Sequence, residues 1–353
     1  MSNKIYLNFS KKLINWYSVN KRFLPWRNTK DPYKIWLSEI ILQQTQVKQG
    51  LPYYNKFIDR YPNVGSLSDS REQDVLKNWE GLGYYSRARN LHKTSKLVVE
   101  EYNSQFPNTY EELIKLPGIG DYSASAISSF SNDEVRPVLD GNVYRFISRL
   151  FGISTVINTS GSLKEFKILL NKLICVNNPS DFNQAIMEFG ALVCKPKTPN
   201  CTNCIYNKVC FSFKNNSVFD FPVKKKSAKS KSRFLNYFII IDKNKRIMVE
   251  ERTNKDIWQN LYQFPLVESD TDLNKSSLKD LLTLNKHPFS KTNDIKLIET
   301  VNHKLSHQNL KINFWLKYVN KLDDSSIYIN ELSNLPFPKP LSSFIETLNN
   351  FLM

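Results

Sequence analysis

No segment of this 353-residue chain approaches the roughly 18 consecutive apolar residues of a membrane span. The N-terminus, MSNKIYLNFSKK, is basic but lacks the continuous apolar stretch of a secretory signal. These absences argue against a membrane partner and for a soluble, cytoplasmic protein. No internal repeat at solenoid periods is present. Acidic residues are also in short supply, with 33 Asp and Glu against 49 Lys and Arg, a net charge of +16. The deficit is local: residues 1–233 carry 34 basic and 19 acidic side chains, and residues 234–353 carry 15 and 14. A basic first part suits a polyanion such as a nucleic acid backbone. A Lys- and Asn-rich compositional habit is the plainer alternative. Cysteine is scarce as well. There are five, and four of them, Cys194, Cys201, Cys204 and Cys210, lie within seventeen residues as C-x6-C-x2-C-x5-C.

Four thiolates this close can hold a [4Fe–4S] cube or one tetrahedral zinc. Structural zinc sites are commonly built from two C-x2-C pairs, and only Cys201 and Cys204 form one here. Outer partners six and five residues away suit wrapping a bulkier cube. Zinc stays open on spacing alone. A disulfide framework fits poorly, because the chain is large, has no secretory signal and would leave Cys175 over. Cys175, within Lys172-Leu173-Ile174-Cys175-Val176, reads as a small buried apolar residue.

The length predicts two domains. Residues 10–215 show mainly helical periodicity, with helices expected over Tyr33–Lys48, Asp74–Gly81, Ser86–Tyr102, Tyr110–Leu116, Tyr122–Ser131, Gly141–Phe151 and Phe182–Val193. The run from Lys224 to Arg233 is basic, Ser-rich and nearly free of large apolar residues, so it reads as an exposed linker. Beyond it, Phe234–Ile241, Arg246–Glu250 and Leu310–Val319 read as strands, and Leu278–Leu284 and Leu341–Leu352 as helices. The expected organisation is a helical domain over 1–215, a linker over 216–233 and a small α+β domain over 234–353.

Three short motifs carry chemistry. Leu116-Pro117-Gly118-Ile119-Gly120-Asp121-Tyr122 joins two helices through a glycine turn. Exposed backbone N–H groups beside a helix start can take a phosphate there. A plain interhelical turn is the bland alternative. Asp140 follows a short apolar run and opens a helix, as an ordinary N-cap or as a carboxylate presented to a ligand. Glu39 sits among Leu37, Ile40, Ile41 and Leu42, and on one continuous helix it shares a face with Gln43 and Gln46. Burial there would raise its pKa and suit a general acid; a surface Glu on an amphipathic helix is the alternative.

The glycine hairpin, Asp140 about twenty residues on, and the four-cysteine loop near the domain's end, in that order, resemble the helix-hairpin-helix DNA glycosylase superfamily. Within it, Pro25-Trp26-Arg27, the segment Trp36–Val47, the run Gly81–Leu91 and Phe182-Asn183-Gln184-Ala185 are similar to the adenine DNA glycosylases, the MutY family. Beyond the linker, Trp258, Tyr262-Gln263-Phe264-Pro265 and His303-Lys304-Leu305-Ser306-His307 look like that family's C-terminal, Nudix-like domain.

The resemblance implies an all-α glycosylase domain with a six-helix module and a [4Fe–4S] loop, followed by an α+β Nudix-like domain. It implies a monomer, associated with the nucleoid through DNA. Its partner is duplex DNA containing adenine mispaired with 8-oxoguanine or guanine, and the adenine is flipped into a pocket and removed. Glu39 matches the general acid, Asp140 the stabiliser of the sugar cation, and Asn142 a hydrogen-bonding neighbour. Tyr122 matches a tyrosine near the sugar, where related lyases of the endonuclease III type place a nucleophilic lysine. This implies a monofunctional enzyme. Arg22, Trp26 and Arg27 match the adenine pocket wall. Gln43, Gln44, Thr45, Leu82 and Tyr84, with hairpin residues Gly118 and Gly120, match DNA and lesion contacts. Ser306 and His307 match a loop sensing the oxidised guanine, and the four cysteines match the cluster ligands. Tyr144 stands where many members have lysine, and Leu305 where the sensing loop begins with phenylalanine. The Nudix pyrophosphatase signature is absent from 234–353. The rival readings are a glycosylase/lyase for damaged pyrimidines and a non-catalytic mismatch-binding protein.

Overall fold

The computed structural model describes residues 3–225, 230–284 and 294–348. Residues 226–229 of the expected linker, and 349–352 of the expected last helix, lie outside the described residues. The chain divides into two compact units, one of Met1–Asp69 with Asn90–Lys226 and the other of Ser70–Arg89 with Ser227–Met353. The excursion Ser70–Arg89 therefore leaves the domain expected over 1–215 and joins the second unit.

The helices up to the first strand are α1 (Asn3–Asn20), α2 (Pro32–Leu42), α3 (Val47–Arg60), α4 (Val64–Ser68), α5 (Glu72–Asn78), α6 (Ser86–Glu101), α7 (Tyr110–Leu113), α8 (Asp121–Asn132), α9 (Gly141–Phe151), α10 (Ser160–Leu173), α11 (Pro179–Leu192) and α12 (Phe211–Lys214). Their starts follow local rules. Asp31 caps α2 by accepting from Tyr33 N at 3.0 Å, with Pro32 at the first helical position, where its missing N–H costs nothing. Asn178 and Pro179 repeat that arrangement at α11. The core of the first unit packs α1, α9, α10 and α11 through Leu13, Ile147, Phe166, Leu170, Phe182 and Phe189. Cys175 is only partly buried against it.

The helix expected over Tyr33–Lys48 is broken. Its apolar part, Ile35–Ile41, is buried on all sides, whereas Gln43, Gln44 and Gln46 are polar, and continuing the same buried path would strip them of water. The chain turns instead at Gln44, φ +55°, and restarts as α3. Gln43 and Gln46 flank two different helices, so neither shares a helix face with Glu39. The helix expected over Asp74–Gly81 also stops early, at Asn78, because Gly81 (φ +94°), Gly83 (φ +72°) and Tyr84 (φ +48°) follow in left-handed conformations.

The second unit is α+β. Its strands are β1 (Lys231–Asp242), β2 (Arg246–Ile247), β3 (Glu250–Glu251), β4 (Tyr262–Gln263), β5 (Leu266–Ser269), β6 (Lys296–Lys304), β7 (Gln308–Val319) and β8 (Ile327–Tyr328), with helices α13 (Lys275–Leu284) and α14 (Lys339–Leu348). β1 and β7 pair in parallel along their whole length, from Lys231 with Gln308 to Asp242 with Val319. The sheet order is β6-β7-β1-β2-β8, with β5 also paired to β1. One face packs Phe238, Ile240 and Trp315 against Leu278 and Leu282 of α13. On α14, Phe344 stacks on Phe314 with ring centroids 3.8 Å apart. The strand expected over Arg246–Glu250 splits into β2 and β3, which belong to different sheets. The segment expected as a linker, 216–233, is engaged at both ends. Phe221 O accepts from Arg149 at 3.2 Å, Val223 O accepts from Ile157 N at 3.0 Å, and residues 231–233 are already strand.

Candidate active site

A cavity of about 940 Å³ opens within the helical unit. It brings together Arg22, Trp26, Arg27, Glu39, Gln43, Gln44, Thr45, Tyr122, Asp140 and Asn142, ten of the residues expected at the site. They come from five places in the chain. α2 delivers Glu39, the turn after it delivers Gln43 to Thr45, and the second residue of α8 delivers Tyr122. The start of α9 delivers Asp140 and Asn142, and the stretch Arg22–Arg27, which ends in the Pro25–Arg27 turn, delivers Arg22, Trp26 and Arg27. A close approach of α11 to α9 shapes the floor. Gly190 has no side chain where a Cβ would lie 2.8 Å from both the Cβ and the carbonyl oxygen of Asn142.

Glu39 is buried, with 6% of its surface exposed. Burial pushes its carboxyl from 4.5 up to about 7; a hydrogen bond from Tyr122 and the charge of Arg27 oppose the rise, and the charge of Asp140 adds to it. Tyr122 is raised well above an ordinary phenol, first by burial and then by the charges of Glu39 and Asp140, so its hydroxyl keeps its proton. That hydroxyl also lies 3.9 Å from the Met187 sulfur. Asp140 caps α9. Its Oδ1 accepts from Asn142 N at 2.9 Å and Val143 N at 2.7 Å, and its Oδ2 accepts from Asn142 Nδ2 at 2.7 Å. Burial raises its pKa, while these hydrogen bonds pull the other way. The N-cap and presented-carboxylate readings of Asp140 are therefore the same geometry. One side chain orders the helix start and faces the cavity.

Glu188, on α11, went unrecognised in the sequence. It accepts from Arg22 N at 2.9 Å, Arg22 Nε at 2.9 Å and Arg22 Nη2 at 2.6 Å, and from Arg27 Nη1 at 2.9 Å and Nη2 at 2.8 Å. Burial alone would raise this carboxyl; the hydrogen bonds from Arg27 and Arg22 outweigh it and hold it at about 2. The cavity thus has one carboxyl kept neutral toward pH 7 and one kept ionised far below it. The signal was available: a lone acid in Ala185-Ile186-Met187-Glu188-Phe189-Gly190 is the same kind of anomaly as Glu39. Trp26 is fixed by an edge-on contact with Tyr54, centroids 5.0 Å apart. Tyr144 points away into the core, against Phe166, so the departure at that position places nothing in the cavity.

The hairpin forms between α7 and α8. Gly118 has φ +77°, and a Cβ there would sit 2.8 Å from the Asn90 Cβ. Gly118 and Gly120 are exposed on either side of the buried Ile119, which leaves the turn's backbone open to solvent. The four cysteines line one cavity with Phe146, Leu150 and Tyr206. Arg149 directs a guanidinium N–H at the Cys194 sulfur (3.5 Å), and Tyr206 N directs one at the Cys204 sulfur (3.4 Å). Among the described residues, no three His, Cys, Asp or Glu side chains form a group able to hold a metal ion. Four cysteines lining one largely apolar cavity, with N–H groups aimed at two of the sulfurs, are a donor set whose chemistry fits a thiolate-bound centre.

The remaining expected residues lie in the second unit. Leu82 is buried and Tyr84 is 46% exposed. Tyr84 and Ser306 share a hydrogen bond through their hydroxyls, and His307, next to Ser306 in sequence, is exposed. Among the described residues no helix is long and apolar enough to cross a membrane.

Residues 37–172 match the HhH-GPD superfamily base excision DNA repair protein model, and residues 236–347 match a NUDIX domain. The adenine DNA glycosylase of Buchnera aphidicola subsp. Schizaphis graminum is 36% identical over 347 residues, 96% of this chain and 98% of that protein. The human adenine DNA glycosylase is 37% identical over 211 residues, 57% of this chain and 39% of its own length. Among solved structures, a thermostable thymine-DNA glycosylase is 28% identical with a TM-score of 0.56, covering 60% of this chain and 98% of its own. The protein in an endonuclease III–DNA complex is 19% identical with a TM-score of 0.54, over 61% of this chain and 98% of its own, a likeness of the helical fold. With a relative this similar along nearly its entire length, and a helix-hairpin-helix domain followed by a Nudix domain, the chain belongs to the adenine DNA glycosylase family.

Proposed function

We propose that the protein is a monofunctional glycosylase that removes adenine mispaired with 8-oxoguanine, or with guanine, from duplex DNA during base excision repair. The observation that carries this reading is the meeting of Glu39, Tyr122 and Asp140 in one cavity large enough for an extruded nucleotide. Glu39, neutral toward pH 7, gives its proton to the purine ring and makes adenine a leaving group. Asp140, held by the α9 amides and Asn142, sets its negative charge against the cation developing on the sugar. Glu39, then a carboxylate, orients the attacking water. The ionised Glu188 fixes Arg22 and Arg27 as a wall against which the base is selected.

Tyr122 supports the absence of strand cleavage. A phenol cannot form the Schiff base that a lyase needs. The lysine on the cavity wall, Lys48, is exposed to solvent. Cys194, Cys201, Cys204 and Cys210 would hold a [4Fe–4S] cluster, which supplies a rigid, DNA-orienting element when bound. The basic charge of the first 233 residues and the open hairpin support duplex binding. Tyr84 and Ser306 would read the oxidised guanine.

The test is to incubate the protein with duplex containing adenine opposite 8-oxoguanine and to assay strand breaks before and after alkali. Breaks only after alkali are expected. Breaks without alkali would favour a lyase, and tight binding without abasic product would favour a mismatch-binding protein.

A further inference from the structure

The segment Ser70–Arg89 joins the compact unit built around the Nudix-like sheet. Lys77 is tied there to Leu335 O at 3.1 Å and Gln73 to Glu251 at 3.1 Å, and the bonds at the two ends of the segment, from Glu72, Gln73 and Arg89, reach one loop, residues 252–261. In that loop Trp258 and Asn260 both take left-handed backbones, each with φ +63°. Such a conformation is costly for a tryptophan. It is imposed by a set of internal bonds: Leu261 N to Trp258 O at 3.1 Å, Asn260 N to Arg252 O at 2.8 Å, and Arg252 Nε to Ile257 O at 2.7 Å. The strain has a geometric result. Asn260 Nδ2 donates to Glu72 Oε1 at 2.6 Å, its carbonyl accepts from Gln73 Nε2 at 3.3 Å, and the Gln259 carbonyl accepts from Arg89 Nη1 at 2.8 Å.

These grips bracket Tyr84, itself left-handed and exposed, whose hydroxyl bonds to that of Ser306. The same loop reaches the other partner. The Trp258 ring lies against His303, centroids 6.2 Å apart. His303 is three residues before Ser306, on the strand leading into the turn that Leu305 N closes onto Gln308 O at 2.8 Å. One strained loop therefore touches both the segment carrying Tyr84 and the strand carrying the Ser306 turn.

We infer that residues 252–261 form a clamp that holds Tyr84 and Ser306 together as one reader of the base opposite the extruded adenine, with Asn260 as its positioning residue. The reader's identity rests on the proposed preference for 8-oxoguanine; the clamp itself rests on the bonds above. Asn and Asp both tolerate the left-handed region, so Asn260→Asp preserves the backbone while setting a carboxylate against that of Glu72. Adding Glu72→Gln restores a hydrogen bond with donor and acceptor exchanged.

The full chain is assayed for single-turnover adenine release opposite 8-oxoguanine and opposite guanine, and for amide hydrogen exchange across residues 79–87. For Asn260→Asp the preference for 8-oxoguanine over guanine should fall about tenfold, the scale of one charge-assisted hydrogen bond. Release opposite guanine at saturating protein should be unchanged, and exchange at 79–87 should quicken. The double variant should recover to within about threefold of the original. An unchanged preference with unchanged exchange overturns the clamp. Equal losses on both duplexes without rescue overturn it as well, since they mark a general folding defect. If the unsubstituted protein releases no adenine, the proposed function falls, and the exchange experiment judges the clamp alone.

Discussion

Glu39→Gln keeps the size of the side chain and its ability to accept from Tyr122, but removes the ionisable group. In the folded chain burial pushes this carboxyl from 4.5 up to about 7. A carboxyl that binds its proton more tightly when folded contributes fully to stability below pH 4.5, and that contribution is lost as pH rises to about 7. The interval between those values corresponds to roughly 3 kcal/mol at 1.36 kcal/mol per pH unit. The variant, neutral at every pH, should therefore match the original protein near pH 4.5 and exceed its stability by up to about 3 kcal/mol at pH 8. In a unit of this size that gain raises Tm by roughly 6–12 °C. Adenine release should be abolished while duplex binding persists, so the substitution trades function for stability. Urea unfolding followed by circular dichroism at pH 5 and pH 8, beside single-turnover release, measures both. In the unsubstituted protein the release rate should fall as pH rises through about 7, because the protonated form is the working one. A variant that is less stable at pH 8, or equally stabilised at both pH values, would refute the buried-acid argument. A near-normal release rate would remove Glu39 from the chemistry.

Glu188→Gln should destabilise the helical unit by about 3 kcal/mol at pH 7, because it leaves the nearly buried Arg27 uncompensated. Urea melts should show the difference shrinking as pH falls from 4.5 toward 2, where the original carboxyl also becomes protonated and loses its depressed-pKa advantage. Gly118→Ala places a side chain at φ +77° and against Asn90, costing about 1–2 kcal/mol. It should weaken duplex affinity more than the rate at saturation, as measured by titration against single-turnover release. Cys204→Ser should yield a protein without the brown colour and visible absorbance expected of the purified chain; a colourless original with full activity would refute the cluster.

Much of the site was legible because unusual residues stood out locally. Glu39 interrupts an apolar run, Asp140 opens a helix after another, and Gly118 punctuates a turn that left-handed backbone requires. Periodicity was misleading where burial changed abruptly. Reading Tyr33–Lys48 as one helix put Gln43 and Gln46 on the face of Glu39, but the buried α2 cannot carry those amides onward, and the turn at Gln44 separates them. β6 escaped notice because none of its side chains is fully buried and it lacks the near-continuous apolar runs of β1 and β7. Glu188 carried a signal as clear as that of Glu39. What it lacked was a partner in sequence, since Arg22 lies 166 residues away.

By itself the sequence determined the two-domain plan, the bunching of positive charge in the first part, the four-cysteine loop, and the placing of Glu39 in an apolar run, Asp140 before a helix and Tyr122 after the glycine turn. These are local properties of composition, spacing and residue chemistry. Tertiary structure decided the rest. It raised the buried carboxyl of Glu39 and lowered that of Glu188 within the same cavity, because only Glu188 is hydrogen-bonded by two guanidinium groups. It also took Ser70–Arg89 from the helical sequence block and bonded it to the Nudix-like unit through a strained loop. Both outcomes depend on groups far apart in the chain sharing one desolvated space, and no local pattern encodes that.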